Sequence, residues 1–177
     1  KKGMRTRMKI IESLRIKEKA YVETLENGLK IIIIPKNNTN KKYIIWGTHF
    51  GSIDNHFIMP KTGEEVYIPD GVAHFLEHKM FEQEDGKDPF AFFGERGSDA
   101  NANTNNFKTT YLFSGPEFFE DNMNYLLDYV QSPYFTDENV EKEKGIIIEE
   151  VNMYKDMVDS AIDAVSYTHL TLPTTSR

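Results

Sequence analysis

The sequence predicts an α+β fold, a mixed β-sheet flanked by helices, on three observations. Runs of β-branched and aromatic residues, "KIIII" at 30–34 and "KKYIIW" at 41–46, are bounded by Asn-Gly, proline and glycine, as strands are. Elsewhere Phe119, Met123, Leu126, Leu127 and Val130 recur at the spacing of one helix face. The two kinds of segment alternate along the chain, and a sheet covered by helices buries the apolar side of both. With 177 residues, 39% of them hydrophobic and 12% aromatic, the chain has enough apolar side chains for one domain with its own core.

The first nineteen residues hold eight Lys or Arg, interrupted by Glu12 and Glu18, with Ile10, Ile11, Leu14 and Ile16 between them. Residues 1–20 therefore read as a basic, solvated and partly helical lead-in. With a net charge of −7 the rest of the chain offers no basic field for a nucleic acid. No apolar signal-type stretch follows the lead-in, and runs such as Ile31 to Ile34 are far too short to span a bilayer. The absence of cysteine excludes a disulfide framework and thiol chemistry. The expectation is a soluble, cytoplasmic protein with no nucleic-acid or membrane partner.

"YVETLENGLKIIIIPK" reads as a hairpin about Asn27-Gly28, its isoleucine run a buried strand ended by Pro35. "KKYIIWGTHFGS" is the next strand, with bends allowed at Gly47 and Gly51. A polar loop occupies 54–69. Asp70 is the N-cap of a helix whose Val72, Ala73, Phe75, Leu76 and Phe81 wrap most of its circumference, so the helix is expected to be buried. Asp88-Pro89 starts a short helix that Gly97 stops. "SDANANTNNFKTTYLFSG" begins with turn-rich asparagines and becomes a strand by Thr109 to Phe113. Pro116 opens the helix with the Phe119 to Val130 stripe, and a last long helix starts near Asp137 and runs to about residue 164. The final twelve residues, "SYTHLTLPTTSR", contain four threonines where the preceding 165 contain nine, and they resemble translated library-adapter sequence.

The chemistry concentrates in "DGVAHFLEHKMF", residues 70–81. Helix residues four apart share a face with β-carbons about 5–6 Å apart, so His74 and His78 can each direct a ring nitrogen to one ion. Glu77 lies about 60° round the helix from His74, where it can reach water at the ion without ligating it. The order H-x-x-E-H is that of inverted zincins. A chance match is expected in roughly one chain in two hundred of this length, so the pentapeptide alone fits either a metal site or a buried polar cluster. A catalytic zinc needs a third protein ligand and an open fourth position, and without cysteine the choice is His, Asp or Glu. His49 and His56 have no partner spacing and read as structural or exposed; His169 falls in the tail and is discounted. In "EKEKGIIIEE", Glu143 and Glu150 are seven apart, two turns on one face, and Glu150 follows the apolar run Ile146 to Ile148. A carboxylate bordering the core needs a cation or a proton. From periodicity alone, Glu141, Glu143 and Glu149 read as a solvated charged face.

"HFLEH", "NANTNNFKTTYLF", "SPYF" and "EKEKGIIIEEVNMYKD", in that order, resemble the insulinase/pitrilysin family of zinc metallopeptidases, which includes the mitochondrial processing peptidases. Four ordered blocks between Tyr21 and Asp156 are far more specific than one pentapeptide. The resemblance implies that His74, His78 and Glu150 hold Zn²⁺, that Glu77 is the catalytic base, and that Glu143 supports a ligating histidine. It also implies that Asn101 and Ala102 lie on an edge strand receiving the substrate backbone. The function implied is that of a zinc-dependent endopeptidase hydrolysing peptides with metal-activated water. The family's complete form closes paired, similarly folded domains on a peptide like a clamshell. Against that pattern residues 21–165 form a partial N-terminal catalytic domain and residues 166–177 a non-native tail. The partners implied are a peptide and either a missing C-terminal domain or a homologous subunit, and the fragment alone is expected to be inactive. The alternatives are a non-catalytic partner subunit of a heterodimeric peptidase and a metal-binding structural module.

Overall fold

The computed structural model describes residues 8–155. It has the expected α+β class, but its strands form three small sheets with antiparallel pairing throughout in place of one mixed sheet. Most pairs are joined by short hairpins, which enforce antiparallel pairing, whereas parallel neighbours need a crossover of a dozen residues or more. The chain divides into two compact units after Asn40. Among the described residues no helix is long and apolar enough to cross a membrane.

The first unit is a three-stranded sheet in the order β1 (Lys9–Ser13), β2 (Glu18–Thr24), β3 (Lys30–Ile33). The helical reading of the lead-in is therefore corrected from Lys9 onward. Ile10 and Ile11 pair with Tyr21 and Ala20 across the hairpin, and pairing of β-branched residues overrides the weak helix preference of the charged ones. The second hairpin turns where Asn27-Gly28 places it. Its loop spans Leu25 to Leu29, and of the pair only Gly28 has a positive φ, 88°. Ile32 and Ile33 are exposed, contrary to the buried strand expected, because this unit contains no described helix to cover them.

The second unit holds the core. Its main sheet runs β4 (Lys42–Thr48), β8 (Thr109–Gly115), β7 (Asp99–Thr104), with β8 central and β7 at the edge. The turn reading of "NANTNN" is thus corrected for 99–104: the alternation exposed, half-buried along β7 is that of a strand with one covered face. The polar loop after β4 contains a further hairpin, β5 (His56–Ile58) with β6 (Glu65–Tyr67), whose three-residue strands are too short to show a period. The first helix, α1 (Val72–Lys79), is capped by Gly71 at φ 86° and not by Asp70, whose carboxylate accepts from Asn55 Nδ2 at 3.0 Å. Helix α2 (Pro89–Gly94) starts as expected, with Asp88 accepting from the Phe90 N–H at 2.9 Å. Helix α3 (Phe119–Tyr129) begins three residues after Pro116. Helix α4 (Asp137–Lys155) is launched by a reciprocal cap in which Thr136 Oγ1 accepts from Asn139 N–H and Asn139 Oδ1 accepts from Thr136 N–H. The expected end of this helix near 164, the tail and His169 lie outside the described residues.

Phe93 of α2, Tyr111 and Phe113 of β8, and Leu126 and Tyr129 of α3 are the buried centre of this unit, closed by Met80 just after α1. The α3 stripe meets it as the period predicts, although Leu127 lies outside it and Tyr129 enters in its stead. Helix α1 is covered on one side by α4, β7 and β8, and its residues Ala73 and Lys79 are buried while Val72, Phe75 and Leu76 are only half-buried. Gly51 fastens the tip of the β7–β8 hairpin to the segment after β4. The Ser52 and Ile53 N–H groups donate to Asn105 and Asn106 carbonyls, and a Cβ at Gly51 would lie 2.5 Å from that backbone. Only glycine permits this approach.

The Tyr129 hydroxyl is buried without a hydrogen-bond partner among the described residues. Burial, reinforced by the Tyr111 and Tyr125 hydroxyls, pushes its ionisation well above the ordinary value of about 10. A raised folded-state value means stability that is complete below about pH 10 and is lost as pH rises through the folded value, because only the unfolded chain gives up the proton readily. Tyr129→Phe removes both the unpaired hydroxyl and this linkage. It is expected to gain about 1 kcal/mol in urea denaturation at neutral pH and to hold its stability further into the alkaline range; a loss in both measurements would contradict the unpaired hydroxyl.

Candidate metal centre

Helix geometry brings His74 and His78 together on α1. Their Nε2 atoms are 3.1 Å apart and the rings meet edge to face, centroids 4.6 Å apart at 84°. Helix α4, lying against α1, adds two carboxylates, from sixty-five and seventy-two residues beyond His78. Glu143 Oε1 accepts from His78 Nδ1 at 2.8 Å. Glu150 Oε2 lies 3.5 Å from His78 Nε2 and 3.8 Å from His74 Nε2. The sequence expectation that Glu150 borders the core fits its half-buried position, whereas the solvated face read for Glu143 from periodicity is corrected: packing of α4 on α1 buries it.

This arrangement has a definite protonation logic. An ionised carboxylate only accepts, so the bond to Glu143 calls for a hydrogen on His78 Nδ1, and in the corresponding uncharged tautomer the Nε2 lone pair faces His74 and Glu150. Such a carboxylate holds ring orientation and tautomer in the way metal-binding histidines require. The His74 and His78 nitrogens and the Glu150 oxygen all lie within 4.8 Å of one another, and this is a group that could hold a metal ion. Ligands at about 2.0–2.2 Å from one tetrahedral ion sit about 3.3–3.6 Å from each other. The observed edges of 3.1, 3.5 and 3.8 Å bracket that range. The donor set, two imidazoles and one carboxylate, suits zinc.

Glu77 is half-buried on α1, outside this triangle, and its carboxylate makes no hydrogen bond or ion pair among the described residues. Its charge adds to burial in holding the Tyr111 hydroxyl protonated, a neighbour the sequence does not point to. Asn101 and Ala102 are on the edge strand β7, where Asn101 Oδ1 accepts from the Ala102 N–H at 2.8 Å. His49 is exposed, and His56 stacks on Tyr67 and pairs with Glu65 at 2.7 Å on the β5–β6 hairpin. Glu141, paired with Lys144, and Glu149 are exposed, as a solvated face requires. Lys79, next to His78, is fully buried, and no sequence period singles it out.

Over 152 residues, 86% of the chain, the sequence is 49% identical to the uncharacterized zinc protease YmfH of Bacillus subtilis (strain 168), covering 35% of that protein. The crystal structure of an M16-like peptidase from Alicyclobacillus acidocaldarius matches with a TM-score of 0.76 and 40% identity, over 85% of this chain and 34% of that one. Pitrilysin shares the fold, with a TM-score of 0.64 and 18% identity over 84% of this chain and 16% of its own. The chain thus spans about a third of the length of the first two. The model of the insulinase family, peptidase family M16, matches residues 64–175, a span that contains both helices of the candidate metal centre, and the chain belongs to that family.

Proposed function

We propose that this chain supplies the zinc site of an endopeptidase that hydrolyses peptides. The observation that carries the reading is the triangle of His74 Nε2, His78 Nε2 and Glu150 Oε2, with the His78 ring held by Glu143. In this reading His74, His78 and Glu150 are the ligands and Glu143 orients His78. Zinc held there supplies Lewis-acid chemistry, polarising a carbonyl and bringing the pKa of water toward about 7. Glu77, with no competing partner among the described residues, takes the proton from the attacking water and passes it to the leaving amine. The edge of β7 receives the peptide backbone, and the Ala102 N–H exchanges its bond to Asn101 Oδ1 for one to a peptide carbonyl.

The rest of the chamber comes from a C-terminal domain or a homologous subunit. The exposed Ile146, Ile148, Val151 and Met153 on α4 support this, since apolar side chains grouped on one helix ordinarily have a cover. The chain alone is accordingly expected to be inactive. In the full-length protein, chelation should abolish peptide hydrolysis and one equivalent of zinc should restore it; hydrolysis that survives complete metal removal would overturn the reading.

A further inference from the structure

We propose that Lys79 is a positioning residue of the metal centre, pinning α1 to the segment that launches α4. The inference rests on the zinc reading above. Lys79 follows His78 directly, and its side chain is wholly buried. A buried ammonium is costly unless paired, and two groups compensate this one. Glu82, one turn on, pairs with Nζ. The ring of Phe135 faces the same nitrogen, 5.9 Å from ring centroid to Nζ, within reach of a cation–π attraction.

Phe135 is where α4 is set. It immediately precedes Thr136, the cap residue, and Thr136 and Asn139 bond to each other in both directions. The buried Asn139 also donates Nδ2 to the Tyr134 carbonyl at 3.3 Å. Residues 134–139 are therefore a stiff knot, and a constraint at Phe135 is transmitted to the helix. Glu143 and Glu150 follow Thr136 at two and four turns, so both fall on the face that starts there. A displacement of α4 by about 1 Å would carry the 2.8 Å contact between His78 and Glu143 out of hydrogen-bond range. The Lys79 contacts use none of the metal's own ligands, so they can hold the two helices in register before any ion arrives. An apolar side chain would fill the same space but would lack the attraction of the ammonium for the Phe135 ring, the contact that crosses from the end of α1 to the segment launching α4.

The test is zinc affinity, by competition with a chelator, together with the visible absorption of the Co²⁺-substituted site, in the full-length protein. Lys79→Met retains length and apolar bulk, and it leaves Glu82 able to turn to water. Phe135→Leu changes a half-exposed residue and is expected to fold. Both are expected to weaken zinc binding about tenfold or more and to shift the Co²⁺ bands, as loss of an outer partner does, while Phe135→Tyr, which keeps the ring, behaves as wild type. Folded Lys79→Met and Phe135→Leu with wild-type affinity and unchanged Co²⁺ bands would overturn the proposal. If Lys79→Met fails to fold, Phe135→Leu decides in the same way. A wild-type protein that binds no zinc would overturn the zinc reading and this inference together; one that binds zinc while the variants match it overturns this inference alone.

Discussion

Glu77→Gln in the full-length protein is expected to lower peptide hydrolysis by about 10²–10⁴-fold while one zinc stays bound. The substitution keeps the size and shape of the side chain and removes only its capacity to take a proton. Zinc retention is expected because Glu77 lies outside the cluster of His74, His78 and Glu150. Stability should change little, since its carboxylate has no hydrogen bond or ion pair among the described residues to lose. The nearby Tyr111 feels one charge less, which relaxes part of the pressure that holds its hydroxyl protonated. The measurement is turnover of a peptide alongside metal content of the same sample. Undiminished turnover would remove Glu77 from the mechanism, and parallel loss of metal would assign it to the site's structure.

Glu150→Gln should have the opposite signature, with zinc lost and activity lost with it. Two neutral imidazoles place no negative charge against a divalent cation, so in the proposed site the carboxylate of Glu150 would provide the charge compensation as well as the third ligand. It is also the only member of the triangle contributed by α4. Removing an outer partner typically costs 10–100-fold in metal affinity, and loss of an anionic ligand should exceed about 100-fold. Chelator competition measures this directly. Glu149→Gln, one residue away and exposed, is the control and should bind zinc as the wild type does. Wild-type affinity in Glu150→Gln would show that the ion is held elsewhere.

Much of this site could be read along the chain, because it is built from helix periodicity. His74 and His78 meet because they are four apart on α1, and Glu143 and Glu150 share a face because they are seven apart on α4. Local chemistry also placed the Asp88-Pro89 helix start and the hairpin at Asn27-Gly28, where the deciding bonds span only a few residues. Reading failed where distant partners compete with local preference. Asp70 has every property of an N-cap, yet its carboxylate is taken by Asn55 and Gly71 caps the helix. "DANANT" has the composition of a turn, yet pairing with β8 makes it a strand. The lead-in from Lys9 is strand for the same reason.

Sequence alone therefore singled out candidate side chains, through the family resemblance, and determined how each pair is spaced along its own helix, which follows from a 3.6-residue repeat. It left open whether the pairs face each other. Packing of α1 against α4 answers that, bringing Glu143 to 2.8 Å from His78 and Glu150 to within 3.8 Å of both histidines. The same packing buries Lys79 between charge and ring, a role that nothing in its neighbours along the chain announces. The physical reason is one of range. Helix spacing is a local property of the backbone, whereas the approach of two helices is set by the side chains of many distant residues acting together.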